Sequence, residues 1–496
     1  MKLLESWGLN DLNKVGSKNK KTDKIKQGVA LVEQYWKEKQ TPVNPAYKNA
    51  MLTLIENQMK ALTLLEQNGV MTSQNIAPVE TYILTLLARA LPQQILPYFA
   101  SFQPIKSTFA QVRLIKGRYM TSKGGTEEGA KAPVSFDSNV SFDPYYGSNI
   151  IEGEPIDVTL DASGSNNATK TVTLKYGVIG GAVYLTYNGH LYSLTDGNSV
   201  TIDTFTSGGN ITGNITATYN VSTNAITFTN TDDNAHPISA SAKYRTNLEG
   251  TPLNPTFAIS IEKYPIEVEN YRMKTSITAE TFAEAAAHAV GDIGDMVMTL
   301  TADEMALEID RMALYEIMHA VEPLYNSDWS IDTTTYEQFQ YRQPKPEYFR
   351  NLLLEIEKAA MAIFTRTRVA AGNVVVMNPI VAAYLESTGL LQVQKSLQER
   401  QINRVIPLGW IQEKYRVLVD PFFPMEKILV GYKGEGVENA GYIFAPYVPS
   451  VPLNTGVLKD ITIDDVTFHY AIMSFFGRKM LDAGFYHVIN INGQLY

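Results

Sequence analysis

The sequence predicts an α+β fold with an all-β domain inserted into it, and three observations support this prediction. Residues 301–321 repeat apolar side chains with the period of a helix and contain no glycine or proline. The segments 109–120 and 257–274 alternate with the period of a strand. Between them, 154–250 is rich in Thr, Asn, Gly and Ser, and its short alternating runs are separated by turn sequences. Such runs predict a small β-sandwich or barrel, and its position predicts an insertion.

The composition excludes several classes of protein. The chain has 496 residues, of which 45% are hydrophobic and 19% charged, as in ordinary globular proteins of several domains. The absence of cysteine excludes disulfides, thiol nucleophiles and cysteine-based metal sites. No apolar run approaches the roughly 20 residues of a membrane span, and the N-terminus lacks the apolar core of a signal peptide. A net charge of −9 argues against a dedicated nucleic-acid binder.

The first hundred residues predict a polar, lysine-rich arm followed by helices. The first 26 residues carry a local net charge of +4, which is typical of a solvated segment. Apolar residues at spacings of three and four predict helices at 47–68 and 79–91. Prolines at 92, 97 and 104 then predict an extended strap.

The strand at 109–120 predicts a long exposed β-arm that breaks at Gly124 and Gly125. Its basic residues are Arg113, Lys116, Arg118 and Lys123. Basic side chains protect a sheet edge from indiscriminate pairing, or fit it to one specific neighbour. We expect these four residues to meet acidic groups on an adjacent subunit.

The helix at 301–321 is expected to organise the second half of the chain. Thr301 is a favourable N-cap, and Glu304 completes a capping box with it. An alanine-rich helix over 279–290 is expected to precede it and to break at Gly291 and Gly294. A third helix is predicted at 347–368.

The sequence beyond residue 368 predicts several strands and one further helix. The apolar run 374–377 reads as a buried strand, and Asn378 with Pro379 reads as the N-cap and first residue of a helix that ends at Gly389. Strands are predicted at 416–419, 427–432, 441–447, 466–476 and 485–491. A turn with Gly434 and Gly436, where we expect positive φ, and a region containing Pro446 and Pro449 lie among them.

No sequence pattern predicts chemistry. The six histidines do not stand at metal-ligand spacings, and nucleophile elbows, phosphate loops and zinc-protease motifs are absent. We therefore expect no enzymatic activity, no cofactor and no metal. Several extended arms would lose conformational entropy on ordering, which is reasonable if neighbouring copies order them. The expected partner is the protein itself.

Four stretches resemble a known family. They are GNVVVMNPIVAAYL at 372–385, YRVLVDPFFPMEKILVGY at 415–432, GYIFAPYVP at 441–449, and the terminal FHYAIMSFFGRK and FYHVINI. They are similar to the major capsid proteins of tailed double-stranded DNA bacteriophages, which have the Hong Kong 97-type fold, and most closely to the T-even-like myophage branch. The resemblance covers about the last 240 residues.

The resemblance implies a layout and a function. The expected parts are an N-arm at 1–100, an extended β-loop at 101–153 and 251–265, and an inserted β-domain at 154–250. A peripheral domain is expected at 266–370 and 461–496 with its spine helix at 301–321, and an axial domain at 371–460. The expected function is a non-enzymatic shell subunit of the virion that forms hexamers around DNA. Expected partners are vertex, decoration or scaffold proteins, and packaged DNA on the inner side.

Two alternatives remain open at this point. Encapsulins, the shells of cellular nanocompartments, share this fold. The Thr/Asn-rich insertion is also compatible with a carbohydrate-binding module of an adhesin-like protein.

The family implies one further expectation. Relatives lose an N-terminal segment to a maturation protease after a short apolar-x-Glu motif, and Glu56 and Glu66 end similar motifs here. Both lie in the helix predicted at 47–68, and a protease needs extended backbone. We therefore expect the segment to be retained; the alternative is that the chain is an unprocessed precursor.

Overall fold

The computed structural model describes most of the chain beyond residue 95. The described residues are short stretches between 30 and 60, then 96–132, 141–165, 168–205, 211–231, 234–247, 255–278, four residues within 280–284, 293–330, 345–393, 406–434, 436, 439–452 and 467–492. Two compact units divide the chain. The first unit comprises Met1–Leu114 and Lys263–Tyr496, and the second comprises Ile115–Glu262.

Four helices and twenty strands have bounds in the described part. The helices are α1 Leu96–Phe99, α2 Ile293–Val321, α3 Lys345–Thr367 and α4 Pro379–Ser387. The strands are β1 Ser101–Phe102, β2 Phe109–Tyr119, β3 Ile150–Leu160, β4 Thr169–Thr173, β5 Val178–Tyr187, β6 His190–Thr195, β7 Ser199–Phe205, β8 Ile211–Asn220, β9 Ala225–Asn230, β10 His236–Thr246, β11 Phe257–Thr278, β12 Asn326–Ser330, β13 Val374–Met377, β14 Leu391–Val393, β15 Ile406–Ile411, β16 Tyr415–Val419, β17 Lys427–Gly431, β18 Tyr442–Pro452, β19 Thr467–Met480 and β20 Tyr486–Asn492.

A seven-stranded sheet forms the centre of the first unit. Its order is β12-β20-β17-β13-β16-β15-β14. The central strand β13 is a continuous apolar run because both of its faces are covered. Val374 and Val376 join the core that contains α2, whereas Val375 and Met377 join the core that contains α3 and α4. Two helical layers thus enclose the sheet.

A five-stranded sheet accompanies it, in the order β1-β18-β19-β11-β2. The strand β18 falls in the range 371–460 together with β13, but it lies in this five-stranded sheet. The strand β20 falls in the range 461–496, but it lies in the seven-stranded sheet together with β13. The strand β11 is 22 residues long, roughly 70 Å at the usual rise, and Ile266 is its one buried residue.

The helix α2 begins earlier than predicted. It starts at Ile293, so Thr301 is an interior residue and not the N-cap, and Gly294 lies inside the helix and does not break it. The Thr301 hydroxyl donates to the Val297 carbonyl at 2.8 Å and lies 2.9 Å from the Thr275 hydroxyl. A threonine whose hydroxyl bonds the preceding turn can lie inside a helix, so its presence in the sequence does not by itself mark the start of a helix.

The helix α4 confirms the prediction at both ends. The Asn378 side chain accepts from the amide of Ile380, and Pro379 occupies the first turn. Gly389 follows with φ of +75°, a conformation that favours glycine. The Asn378 amide also donates to the Phe423 carbonyl at 2.7 Å, which attaches this cap to the β16–β17 connection.

The second unit contains the predicted β-sandwich. One sheet has the order β3-β10-β5-β6 and the other β4-β9-β8-β7. Both sheets contribute to one core, with Ile156, Leu185 and Tyr244 from the first, and Ile215 and Phe228 from the second. The sandwich begins at Ile150, not Glu154, because β3 pairs with β10 over its full length.

The described residues near the N-terminus belong to the core of the first unit. Residues 53–58 are helical, as predicted, and Met51, Leu54 and Ile55 are fully buried together with Phe99 and α2. The prediction of a helix at 79–91 and the start of the proline strap lie outside the described residues. None of the helices in the described part could span a membrane.

Candidate functional site

The described residues offer no metal site. They contain no group of three or more His, Asp or Glu side chains arranged to hold a metal ion. The candidate functional residues are therefore the predicted contact residues of the arm, the glycine turn, the two prolines and the two glutamates.

Lys123 is buried in its own subunit, which corrects its prediction as an arm residue. Its side chain is 0% exposed. The ammonium group donates to the carbonyl oxygens of Tyr145, Tyr146 and Ser148 at 2.8, 2.9 and 2.5 Å, so all three of its donors have acceptors. Burial lowers the pKa of Lys123. This lysine holds the loop 145–148 and leaves no donor for a neighbour.

Two more of the predicted basic residues turn inward. Lys116 is 5% exposed, and Arg118 is half-buried and forms an ion pair with Glu262 at 2.5 Å. The Arg118 guanidinium also donates to the Gly129 carbonyl at 3.2 Å. Only Arg113 of the four is exposed. The predicted set of arm contacts is thus reduced to this one arginine.

The exposed feature of the arm in the second unit is apolar. The Ser260 hydroxyl of β11 donates to the Lys116 carbonyl of β2, and just beyond the two strands the Met120 amide donates to the Thr256 carbonyl, so the strands are antiparallel. Alternate residues of these strands point away from Lys116. Ile115, Ile259 and Ile261 are 57%, 69% and 61% exposed; we call these three residues the arm face.

Gly434 is required for a different reason from the one predicted. Its φ is not positive, but a β-carbon here would lie 2.5 Å from that of Asn439. Its amide donates to the Asn439 carbonyl at 3.2 Å, which closes the turn before β18. Gly436 lies exposed within the same turn. The turn is present, but close approach rather than φ selects the glycine.

Pro446 and Pro449 lie within β18, not in a turn, which corrects the prediction. Pro446 stands opposite Phe476 of β19, and the register shifts between Pro446 and Val448 and again before Val451. Proline cannot donate to a ladder, so it occurs at irregular positions of a sheet. The Pro446 carbonyl accepts from the Ile105 amide, 3.2 Å away.

Glu56 lies in a helix and forms an ion pair with Lys60 at 2.8 Å. Leu54 and Ile55, the two residues before it, are fully buried. A protease would have to unfold this segment before cutting after Glu56. Glu66 lies outside the described residues.

A polar network on the five-stranded sheet is not indicated by any pattern in the sequence. Tyr442 donates to Glu316 at 2.5 Å, and Arg478 contacts Glu316 at 3.2 Å and Glu269 at 3.0 Å. Burial and the hydrogen bond to Glu316 raise the pKa of Tyr442. The residues come from α2, β11, β18 and β19, so no spacing in the sequence brings them together.

One histidine is buried where no sequence pattern indicates it. His487 is 7% exposed, with Nδ1 3.4 Å from the Arg366 guanidinium and Nε2 3.1 Å from the Ser327 hydroxyl. Burial and the neighbouring positive charge lower the pKa of His487 to about 4. Its neutral form stabilises the junction of α3 with β20; it is a structural histidine.

Comparisons with known proteins place these features in a family. The model of the family described as major capsid protein Gp23 matches residues 76–486. The major capsid protein of Vibrio phage KVP40 is 22% identical over 404 residues, covering 76% of this chain and 72% of the relative. That of Enterobacteria phage T4 is 22% identical over 400 residues, covering 77% and 72%. That of Salmonella phage ViI is 37% identical over 106 residues, covering 20% and 24%.

Two solved structures are similar to this chain, with TM-scores below 0.4. The jumbo bacteriophage PhiKZ capsid covers 80% of this chain and 92% of its own, with 10% identity and a TM-score of 0.37. A virus-like particle from Pyrococcus furiosus covers 47% and 80%, with 12% identity and a TM-score of 0.30.

Proposed function

The chain belongs to the family of Gp23 major capsid proteins, and from this premise we propose that it forms hexameric capsomers around double-stranded DNA. The family match over 76–486 is the observation that carries the proposal. The protein is a structural subunit of the head shell of a T4-like tailed phage, and its place is the virion capsid. Family membership excludes the encapsulin and the adhesin alternatives as descriptions of the whole chain.

The arm face is our proposed contact with the neighbouring subunit. Three exposed isoleucines on one face of the paired strands β2 and β11 form an apolar surface, and burying each side chain fully contributes roughly 1.5–3 kcal/mol. Among the described residues of the second unit, none covers this face, since all three side chains are more than half exposed. A second copy of the chain is the natural cover, since a shell places copies side by side.

Replacing the arm face tests this contact. Ile115→Thr, Ile259→Thr and Ile261→Thr keep β-branched side chains, which suit strands, and remove apolar area. We expect the triple variant to fold but to assemble poorly, with at least a tenfold lower yield of shells. Sedimentation and negative-stain microscopy measure the yield, and circular dichroism checks the fold.

A matched triple variant on the sandwich serves as the control. Ile179, Leu191 and Val221 are also exposed, by 49%, 64% and 40%, and Thr at these positions removes comparable apolar area. The control should assemble normally. Normal yield of shells from the arm-face variant would refute the contact, and failure of both variants would show a general loss of solubility.

The layout and remaining partners are proposals of the same kind. We propose that 371–460 lies at the capsomer centre and that vertex, decoration or scaffold proteins bind the shell. We also propose that the N-terminal segment is retained with its basic residues toward the DNA. The burial of Leu54 and Ile55 before Glu56 supports retention. The sandwich would then brace neighbours, through positions other than Ile179, Leu191 and Val221, or receive a decoration protein.

A further inference from the structure

In the sandwich sheet β3-β10-β5-β6, the regular strand pairing is interrupted on both sides of β10 around residues 243–245. On the β5 side, the register moves from Tyr244 opposite Val183 to Thr246 opposite Val178. Residues 179–182 therefore all lie opposite Arg245. Gly180 and Gly181 within this bulge have φ of +90° and +66°, which glycine adopts without strain.

The β3 side bulges at the same level. Ala242 stands opposite Glu154, but Tyr244 stands opposite Ile151, so two residues of β3 face Lys243 alone. Gly153, one of these two, has φ of +77°. Bulges on both sides of one strand separate the neighbouring backbones, and bulges occur often beside binding sites because they redirect side chains.

A cleft of about 460 Å³ lies at this interruption. This volume is within the range of small-molecule sites. Tyr184 and Ile179, on the β5 side, are 41% and 49% exposed. Lys243 and Arg245 line the β10 side. The cleft thus has an aromatic ring, an aliphatic side chain and two cations within one small space.

The two cations differ in how they are compensated. Lys243 lies 3.5 Å from Glu152, and its ammonium stands over the ring of Tyr145 at 4.1 Å from the centroid. Arg245 is exposed and has no ion-pair partner among the residues that the structure describes. The cleft therefore carries one uncompensated guanidinium, a group that pairs with carboxylates through two parallel hydrogen bonds.

We propose that this cleft binds an acidic saccharide. Its carboxylate pairs with Arg245, and one face of the sugar ring packs on Tyr184 and Ile179. The volume accommodates one or two sugar rings, and Lys243 remains with Glu152 to hold the wall of the cleft. One such contact is weak, but a shell repeats the cleft in every subunit, so a particle binds a polymeric acidic glycan with much greater avidity.

Binding of a trimer of galacturonic acid to assembled particles tests the proposal. Equilibrium dialysis should give a dissociation constant of about 2 mM for the unaltered protein. The neutral galactose trimer should bind at least tenfold more weakly, which corresponds to about 1.4 kcal/mol. Succinate, which has carboxylates without a sugar ring, should also bind at least tenfold more weakly.

Variants locate the site. Arg245→Gln and Tyr184→Ala should each weaken binding of the acidic trimer at least tenfold. Lys175→Gln is the matched control, because Lys175 is also an exposed cation of the sandwich beside a tyrosine ring, 5.5 Å from the centroid of Tyr176, but outside the cleft. Circular dichroism should be unchanged in all three, and each should keep a cooperative thermal transition.

Several results would overturn the proposal. Absence of binding by the unaltered particle up to 20 mM probe, a concentration about ten times the expected constant, is one. Equal binding of succinate would show a simple anion patch, and equal binding of the neutral trimer would show that Arg245 is irrelevant. Full binding by a correctly folded Arg245→Gln particle would place any saccharide site elsewhere.

Discussion

At the residue scale, His487 makes stability depend on pH. Its usual pKa near 6.5 applies to the unfolded chain, whereas the folded value is about 4. Arg366 faces the ring directly, and Tyr325 and Asp482 act on Arg366. Because the unfolded chain binds the extra proton between these values, this group removes stability as pH falls from about 6.5 to 4.

His487→Gln should remove this dependence. The shift corresponds to roughly 3 kcal/mol of unfolding free energy lost by the natural protein over that pH interval. Urea denaturation at pH 7 and pH 4.5 measures the difference between the two conditions. The variant should lose less stability on acidification than the natural protein. The control is His190→Gln, at an exposed hairpin, and it should lose as much stability on acidification as the natural protein. Identical acid sensitivity of all three would contradict the assignment.

Residue-scale predictions from sequence succeeded where the signal was local. Asn378 followed by Pro379 specifies a helix start by its own hydrogen bond and φ, and the structure has that cap. Lys123 could not be understood from sequence, because its acceptors are backbone carbonyls of 145–148, which any residue type supplies. The prediction that Thr301 is an N-cap was wrong for a different reason, since a hydroxyl bonds a preceding turn as readily as it caps.

At the element scale, the start of β18 depends on the absence of a side chain. A β-carbon on Gly441 would lie 2.5 Å from the Tyr486 ring and 2.7 Å from the Asp482 carbonyl oxygen. The Gly441 carbonyl also accepts from the amides of Leu481 and Asp482 at 2.8 and 3.1 Å. The strand, the turn before β20 and the ring of Tyr486 are therefore packed around bare backbone.

Gly441→Ala should destabilise the first unit by about 1–3 kcal/mol, the usual cost of overpacking. The midpoint of urea denaturation, followed by tryptophan fluorescence and circular dichroism, measures the change. Gly177→Ala is the control, because nothing lies within 4 Å of a β-carbon there and its φ is not positive. A loss of stability no larger than in the control would show that the close approach relaxes at no cost.

The presence of a strand could be predicted from the period of its apolar residues, whereas the sheet to which it belongs could not. The alternation of β11 and the apolar run of β13 reveal each strand from its own residues. Pairing partners come from distant sequence, as with β18 beside β1 and β20 beside β17. The prolines at 446 and 449 looked like turn residues because the bulges that accommodate them depend on β19.

At the scale of the whole molecule, the sandwich has the properties of a separable insertion. Its core contains only residues between Ile151 and Tyr244. Its two ends meet, since the Thr246 amide donates to the Asn149 carbonyl at 2.9 Å. A short connection can therefore replace it without stretching the chain.

Removing 150–246 and joining the ends with a Gly/Ser linker of about four residues should leave a folded remainder. The excised segment, expressed alone, should show a β-type circular dichroism spectrum and a cooperative thermal transition. Removal of 154–250 instead would cut through β3, and this variant should be less soluble. Loss of helical signal in the variant lacking 150–246 would contradict the separation.

The three carbonyl oxygens around the Lys123 ammonium group are held by a charge that cannot leave the protein. Carbonyl oxygens that converge on one point commonly gather around a dissolved metal cation, which exchanges with the medium. Here the positive charge is part of the polypeptide, so dilution cannot remove it and a chelator cannot extract it. The loop at 145–148 carries its own counter-ion.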